Sequence, residues 1–71
     1  MENKIPKKIG NKIRAIRKEK GLSQEKVANL SGLHRTYISA IERGEKNITI
    51  KNLYKILTSL NIEFKEFFDE L

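Results

Sequence analysis

The 71 residues carry 15 Lys and Arg against 9 Asp and Glu, a net charge of +6, and 38% apolar side chains. That is enough for one small core, a single domain over 1–71 with an ordered part of about 6–70, and no separate sensing or catalytic domain. The chain has no cysteine, no apolar run long enough for a membrane span and no apolar stretch after its N-terminal lysines. This excludes disulfides and thiolate metal sites, argues against a membrane partner, and sets the expected location as the cytoplasm.

The charge is polarised. Residues 1–20 hold eight basic and two acidic side chains, 21–47 hold four and three, and 48–71 hold three and four. A basic end points to a polyanion partner, nucleic acid before an acidic membrane surface; the plain alternative is a solvated lysine-rich face.

In chain order, Met1–Ile5 has no pattern and is expected to fray. Pro6 suits a first helical turn, and Ile9, Ile13 and Ile16 recur at i, i+4, i+7. This predicts a helix over about 6–20, weakened at Gly10 and capped by Gly21. Leu22 is placed to plug the core between helices. Ser23 is a good N-cap for a second helix, Gln24–Leu30, although Lys26 at the third following position rules out a capping box. Ser31-Gly32-Leu33 reads as a tight turn, with Gly32 supplying the positive φ. A third helix follows over about Arg35–Arg43, stopped by Gly44, and Glu45-Lys46-Asn47 is a polar loop.

Thr49 caps a fourth helix over about 50–60, in which Ile50, Leu53, Ile56, Leu57 and Leu60 form one apolar stripe. Asn61 is a terminator. A last helix over about 64–70 carries Phe64, Phe67, Phe68 and Leu71 on one face. No stretch alternates with period two long enough for a strand. The expected fold is all-α, five short helices.

Two helices joined by a glycine turn make a helix-turn-helix, here helices 2–3, and the second helix of such a motif commonly enters the DNA major groove. The residues at family spacing are Gln24, Ala28, Gly32, Leu33, Ile38, Ile41, Glu42 and Gly44. They follow the lead-in Ile13-Arg14-x-x-Arg17-x-x-x-Gly21-Leu22-Ser23-Gln24. Together they resemble the Cro/phage-repressor (XRE-like) helix-turn-helix family over about residues 8–68. The resemblance implies a lambda-repressor-like DNA-binding domain. A narrower string, Arg35-Thr36-Tyr37-Ile38-Ser39-x-Ile41-Glu42-Arg43 followed by Asn47-Ile48-Thr49-Ile50, is similar to the controller proteins of restriction–modification systems. That similarity implies a small dimeric regulator of its own operon and of endonuclease expression.

Arg35, Thr36 and Ser39 lie on the side of the third helix opposite Ile38 and Ile41, where a base-reading face belongs. Arg35 can pair bidentately with guanine, and Thr36 offers a hydroxyl and a methyl. Tyr37 either contacts the DNA or packs with its hydroxyl reaching out. Ala40 is small enough to let the helix lie close to the bases. By resemblance, Gln24 binds a backbone phosphate at the start of the second helix. Arg43, Lys46 and Asn47 are placed to clamp phosphate on the flank. The resemblance also implies a partly buried ion pair between Arg17 and Glu42. His34 is the only histidine, so no metal site is expected; a phosphate contact or an N-cap is its expected place.

Leu57, Leu60, Ile62, Phe64, Phe67 and Phe68 exceed what so short a chain is expected to bury. They predict a homodimer interface that would set two recognition helices about one DNA turn, roughly 34 Å, apart on a pseudo-palindrome. The expected partner is therefore a double-stranded DNA operator, with no cofactor and no small-molecule effector. A phage-repressor or antitoxin-like autoregulator is an alternative within the class. A helical interaction module that does not bind DNA is the alternative outside it. An enzyme lacks every usual ingredient: a nucleophile–base set, a metal cluster and a phosphate-binding glycine loop.

Overall fold

The computed structural model describes residues 4–69 and 71. It has five helices: α1 Ile5–Glu19, α2 Gln24–Ser31, α3 Arg35–Glu42, α4 Ile50–Ser59 and α5 Phe64–Phe68, with no strand among the described residues. The all-α expectation holds, with shifts at the ends. α1 starts at Ile5 with Lys4 as its N-cap, so the fraying expected over Met1–Ile5 does not extend to those two residues, and residues 1–3 lie outside the described residues. α1 closes at Glu19 with Lys20 as its cap, and Gly21 takes φ 70° and turns the chain out of the helix as expected. α5 stops at Phe68, short of the expected end at residue 70, which itself lies outside the described residues.

The caps follow local chemistry. Ser23 Oγ accepts from the Lys26 N–H at 3.0 Å, and Thr49 Oγ1 accepts from the Asn52 N–H at 3.1 Å. Each hydroxyl satisfies one of the free N–H groups at a helix start. Gly32 takes φ 73°, and the Leu33 N–H reaches back to the Ala28 carbonyl at 3.0 Å, which reverses the chain between α2 and α3. Asn61 does the same after α4 at φ 59°, as its short polar side chain permits.

The core is built from Ile9 and Ile13 of α1, Val27 and Ala28 of α2, Ile38 and Ile41 of α3, Leu53, Ile56 and Leu57 of α4, then Leu60 and Phe67. Leu22 and Leu33 pack on its edge. Two expectations fail here. Ile50 was placed on the apolar stripe of α4 but is 71% exposed, because it is the first residue of the helix and projects past the core. Gly10 is no simple weak point. A Cβ there would run into the backbone carbonyl of Ile41 and close on that of Glu42. Glycine lets α1 lie directly against the end of α3.

Candidate nucleic-acid interface

The recognition helix is seated by one buried contact. Arg17 Nε donates to Glu42 Oε2 at 2.7 Å and Nη2 donates to Oε1 at 3.0 Å, with side chains 9% and 2% exposed. Arg17 Nη1 also donates to the Leu22 carbonyl at 2.7 Å. The hydrogen bond to Glu42 holds the Arg17 guanidinium above its usual pKa against the opposing effect of burial. Glu42 in turn accepts from Gln24 Nε2 at 3.1 Å. One carboxylate thus ties α1, the start of α2 and the end of α3 together.

One amide hydrogen of Gln24 is spent on Glu42, and its Oε1 faces outward to Arg35, whose Nη1 donates at 3.5 Å. Gln24 is therefore set between the buried pair and the expected base-reading arginine. Arg35 and Thr36 are exposed, as a reading face requires. Ala40 is corrected. It is 6% exposed and faces the core, so it offers no approach to bases.

Tyr37 and Ser39 are both half-buried and both engaged. Asn52 Nδ2 donates to the Tyr37 hydroxyl oxygen at 3.0 Å, and Arg43 Nη1 donates to Ser39 Oγ. Asn52 went unnoticed in the sequence. It sits 15 residues from Tyr37, and only its place in the first turn of α4, fixed by the Thr49 cap, carried any signal. Arg43 also grips Glu45 through two bonds of 2.8 and 3.1 Å. Lys46 and Asn47 are exposed in the following loop. His34 occupies the N-cap position of α3, but its ring makes no capping hydrogen bond. Lys7, Asn11, Arg14, Gln24, Ser39 and Arg43 line one polar concavity beside the start of α2 and the end of α3, with Glu42 and Glu45. Basic side chains of α1 meet Gln24, Ser39 and Arg43 there, while Arg35 and Thr36 lie outside the concavity.

The interface expectation divides. Leu57, Leu60 and Phe67 are at most 1% exposed and are spent on the chain's own core, so they are removed from the interface set. Lys12 covers the Phe67 ring from outside, its Nζ 5.2 Å from the ring centroid. Ile62 and Phe64 are half-buried, and Phe68 is 42% exposed. Tyr54, absent from the expectation, is 59% exposed and stacks on Phe64 at 5.9 Å, while Phe64 stacks on Phe68 at 6.4 Å. The three rings make a continuous aromatic strip across α4 and α5. Among the described residues no group of acidic or histidine side chains could hold a metal ion, and no helix is long and apolar enough to cross a membrane.

A helix-turn-helix family model matches residues 13–67. Control protein C.BamHI of Bacillus amyloliquefaciens is 46% identical over 70 residues, which span 97% of this chain and 86% of that protein. Control protein C.MunI of Mycoplasma sp is 44% identical over 97% of this chain and 95% of its own length. Among solved structures, the restriction–modification controller protein C.AhdI from Aeromonas hydrophila superposes with a TM-score of 0.85 at 46% identity, covering 89% of this chain and 96% of the other. The C.Esp1396I controller, solved as a tetramer with its natural 35 base-pair operator, gives 0.91 at 43% identity over 97% and 91%. The chain belongs to the Cro/C1-type helix-turn-helix family and, within it, to the restriction–modification controller proteins.

Proposed function

We propose that this chain is a sequence-specific, DNA-binding transcriptional regulator of the controller type, acting as a dimer on a pseudo-palindromic operator. The observation that carries it is the seating of α3. Ile38 and Ile41 are buried, Glu42 is locked to Arg17, and the opposite face presents Arg35 and Thr36 to solvent. A rigid helix with an exposed arginine and hydroxyl at its N-terminal end is what major-groove reading requires.

In this reading Arg35 and Thr36 contact base edges, with Tyr37 and Ser39 beside them. Gln24, Arg43, Lys46 and Asn47 face the phosphates, which add affinity but little sequence choice. The strip of Tyr54, Phe64 and Phe68, with Ile62, forms the two-fold interface. Dimerisation coupled to operator binding steepens the response to the protein's own concentration. By kinship with the controllers it would regulate its own operon and an endonuclease gene. Such a protein works in the cytoplasm, with the DNA, and is not an enzyme.

Selection of bound duplexes from a random pool tests the reading. The expected result is enrichment of a two-fold-symmetric site, with affinity that falls as salt rises, at a log–log slope of about −0.9 per phosphate neutralised. Arg35→Ala should relax the choice at one base pair per half-site, losing about 1–3 kcal/mol of discrimination. A pool that shows no enrichment would overturn the regulator reading.

A further inference from the structure

Arg43 is a candidate phosphate contact, yet each of its three guanidinium nitrogens already donates a hydrogen bond within the chain. Nε and Nη2 donate in parallel to the two oxygens of Glu45, at 2.8 and 3.1 Å, and Nη1 donates to Ser39 Oγ. A carboxylate taking two parallel N–H bonds from one arginine copies the way a phosphate is held. The arrangement is built by the backbone. Gly44 between the two residues takes φ 73°, where its Gly44 N–H reaches the Ile41 carbonyl at 3.0 Å and the Glu45 N–H reaches the Ala40 carbonyl at 3.1 Å. A side chain at residue 44 would also press on the Lys7 backbone of α1. Glu45 is therefore anchored to the end of the recognition helix by main-chain bonds, and it lines the polar concavity beside Lys7 and Arg14.

Resting on the DNA-binding reading, we propose that Glu45 is an affinity-setting residue: it occupies the Arg43 fork as an internal stand-in for DNA phosphate. Docking on a duplex exchanges the carboxylate for a phosphate. Both members of the pair are more than half exposed, at 54% and 57%, so the exchange happens in water and costs little. The carboxylate still competes at every encounter, and it cancels one positive charge on the surface that meets the duplex. Phosphate contacts carry no sequence information, so Glu45 lowers binding to any duplex.

The test uses the full chain and the duplex enriched from the random pool, titrated across a series of potassium chloride concentrations. Glu45→Gln should bind about fivefold tighter at low salt. Its log–log salt slope should steepen by about 0.9, the value for one more neutralised phosphate. In an Arg43→Gln background the same substitution should gain less than about twofold, because the fork is gone. Matching circular dichroism melts for all variants check that the fold is intact. No gain from Glu45→Gln in the parent chain overturns the inference. An equal gain with and without Arg43 also overturns it, because Glu45 would then act on the DNA directly. A chain that binds no duplex at all brings down the DNA-binding reading, and this inference with it.

Discussion

Glu42 accepts two hydrogen bonds from Arg17 and a third from Gln24, so a single buried carboxylate couples α1, α2 and the recognition helix. Its removal would leave the Arg17 guanidinium, 9% exposed, without its counter-charge. Breaking one side of such a pair costs about 3–5 kcal/mol. A small domain holds only about 5–15 kcal/mol in all, so Glu42→Ala should be largely unfolded at modest temperature. A thermal melt decides the point, and an unchanged midpoint would refute the structural role.

Gly10→Ala should run against helix propensity. In an exposed helix the change stabilises by about 1 kcal/mol. Here the added methyl meets the Ile41 carbonyl, which cannot rotate away. Overpacking of this kind costs about 1–3 kcal/mol, so urea denaturation should show net destabilisation. A more stable variant would mean that α1 and α3 are less closely apposed than described.

Asn52 and Tyr37 form a pair that a double-mutant cycle can isolate. Asn52→Ala should cost about 1 kcal/mol in the parent chain, the usual net worth of one hydrogen bond. In a Tyr37→Phe background the same change should cost close to nothing, since the acceptor oxygen is gone. Equal losses in both backgrounds would show that the 3.0 Å contact contributes nothing.

The aromatic strip separates assembly from folding. Phe68→Asp places a charge on a 42% exposed ring position and should yield a folded monomer in sedimentation equilibrium. Phe67→Ala, one residue earlier, removes a fully buried ring and should instead unfold the chain, at about 3–5 kcal/mol. A Phe68→Asp chain that still dimerises would move the interface elsewhere.

The Glu45 carboxyl titrates below the usual carboxylate range, chiefly through its hydrogen bonds with Arg43 and also through the charges of Arg43 and Lys46. The folded value is lowered, so the contact is complete above the ordinary carboxylate pKa and is lost as pH falls through the folded value. A side-chain carbon NMR titration should show this lowered midpoint, and Arg43→Gln should raise it. The pair is exposed, so Arg43→Gln should leave the melting midpoint unmoved.

The sequence by itself determined the helices, their caps and the order of the motif. The i, i+4 placement of Ile9 and Ile13, the hydroxyls at Ser23 and Thr49 and the glycine at residue 32 act within a few residues, so they can be read locally. Arg17 and Glu42 were legible only through family resemblance, because nothing local joins positions 25 apart.

Only the tertiary structure decided what each face of a helix meets. It turned Ala40 inward, pressed Gly10 against a carbonyl, and gave Leu57, Leu60 and Phe67 to the core while leaving Tyr54 and Phe68 outside. It also set Asn52 on Tyr37, across two helices. An apolar stripe says that a face is buried, not by which neighbour, and a polar side chain does not announce its partner. Those outcomes depend on how helices distant in sequence approach one another, and on which charged groups that approach leaves within reach.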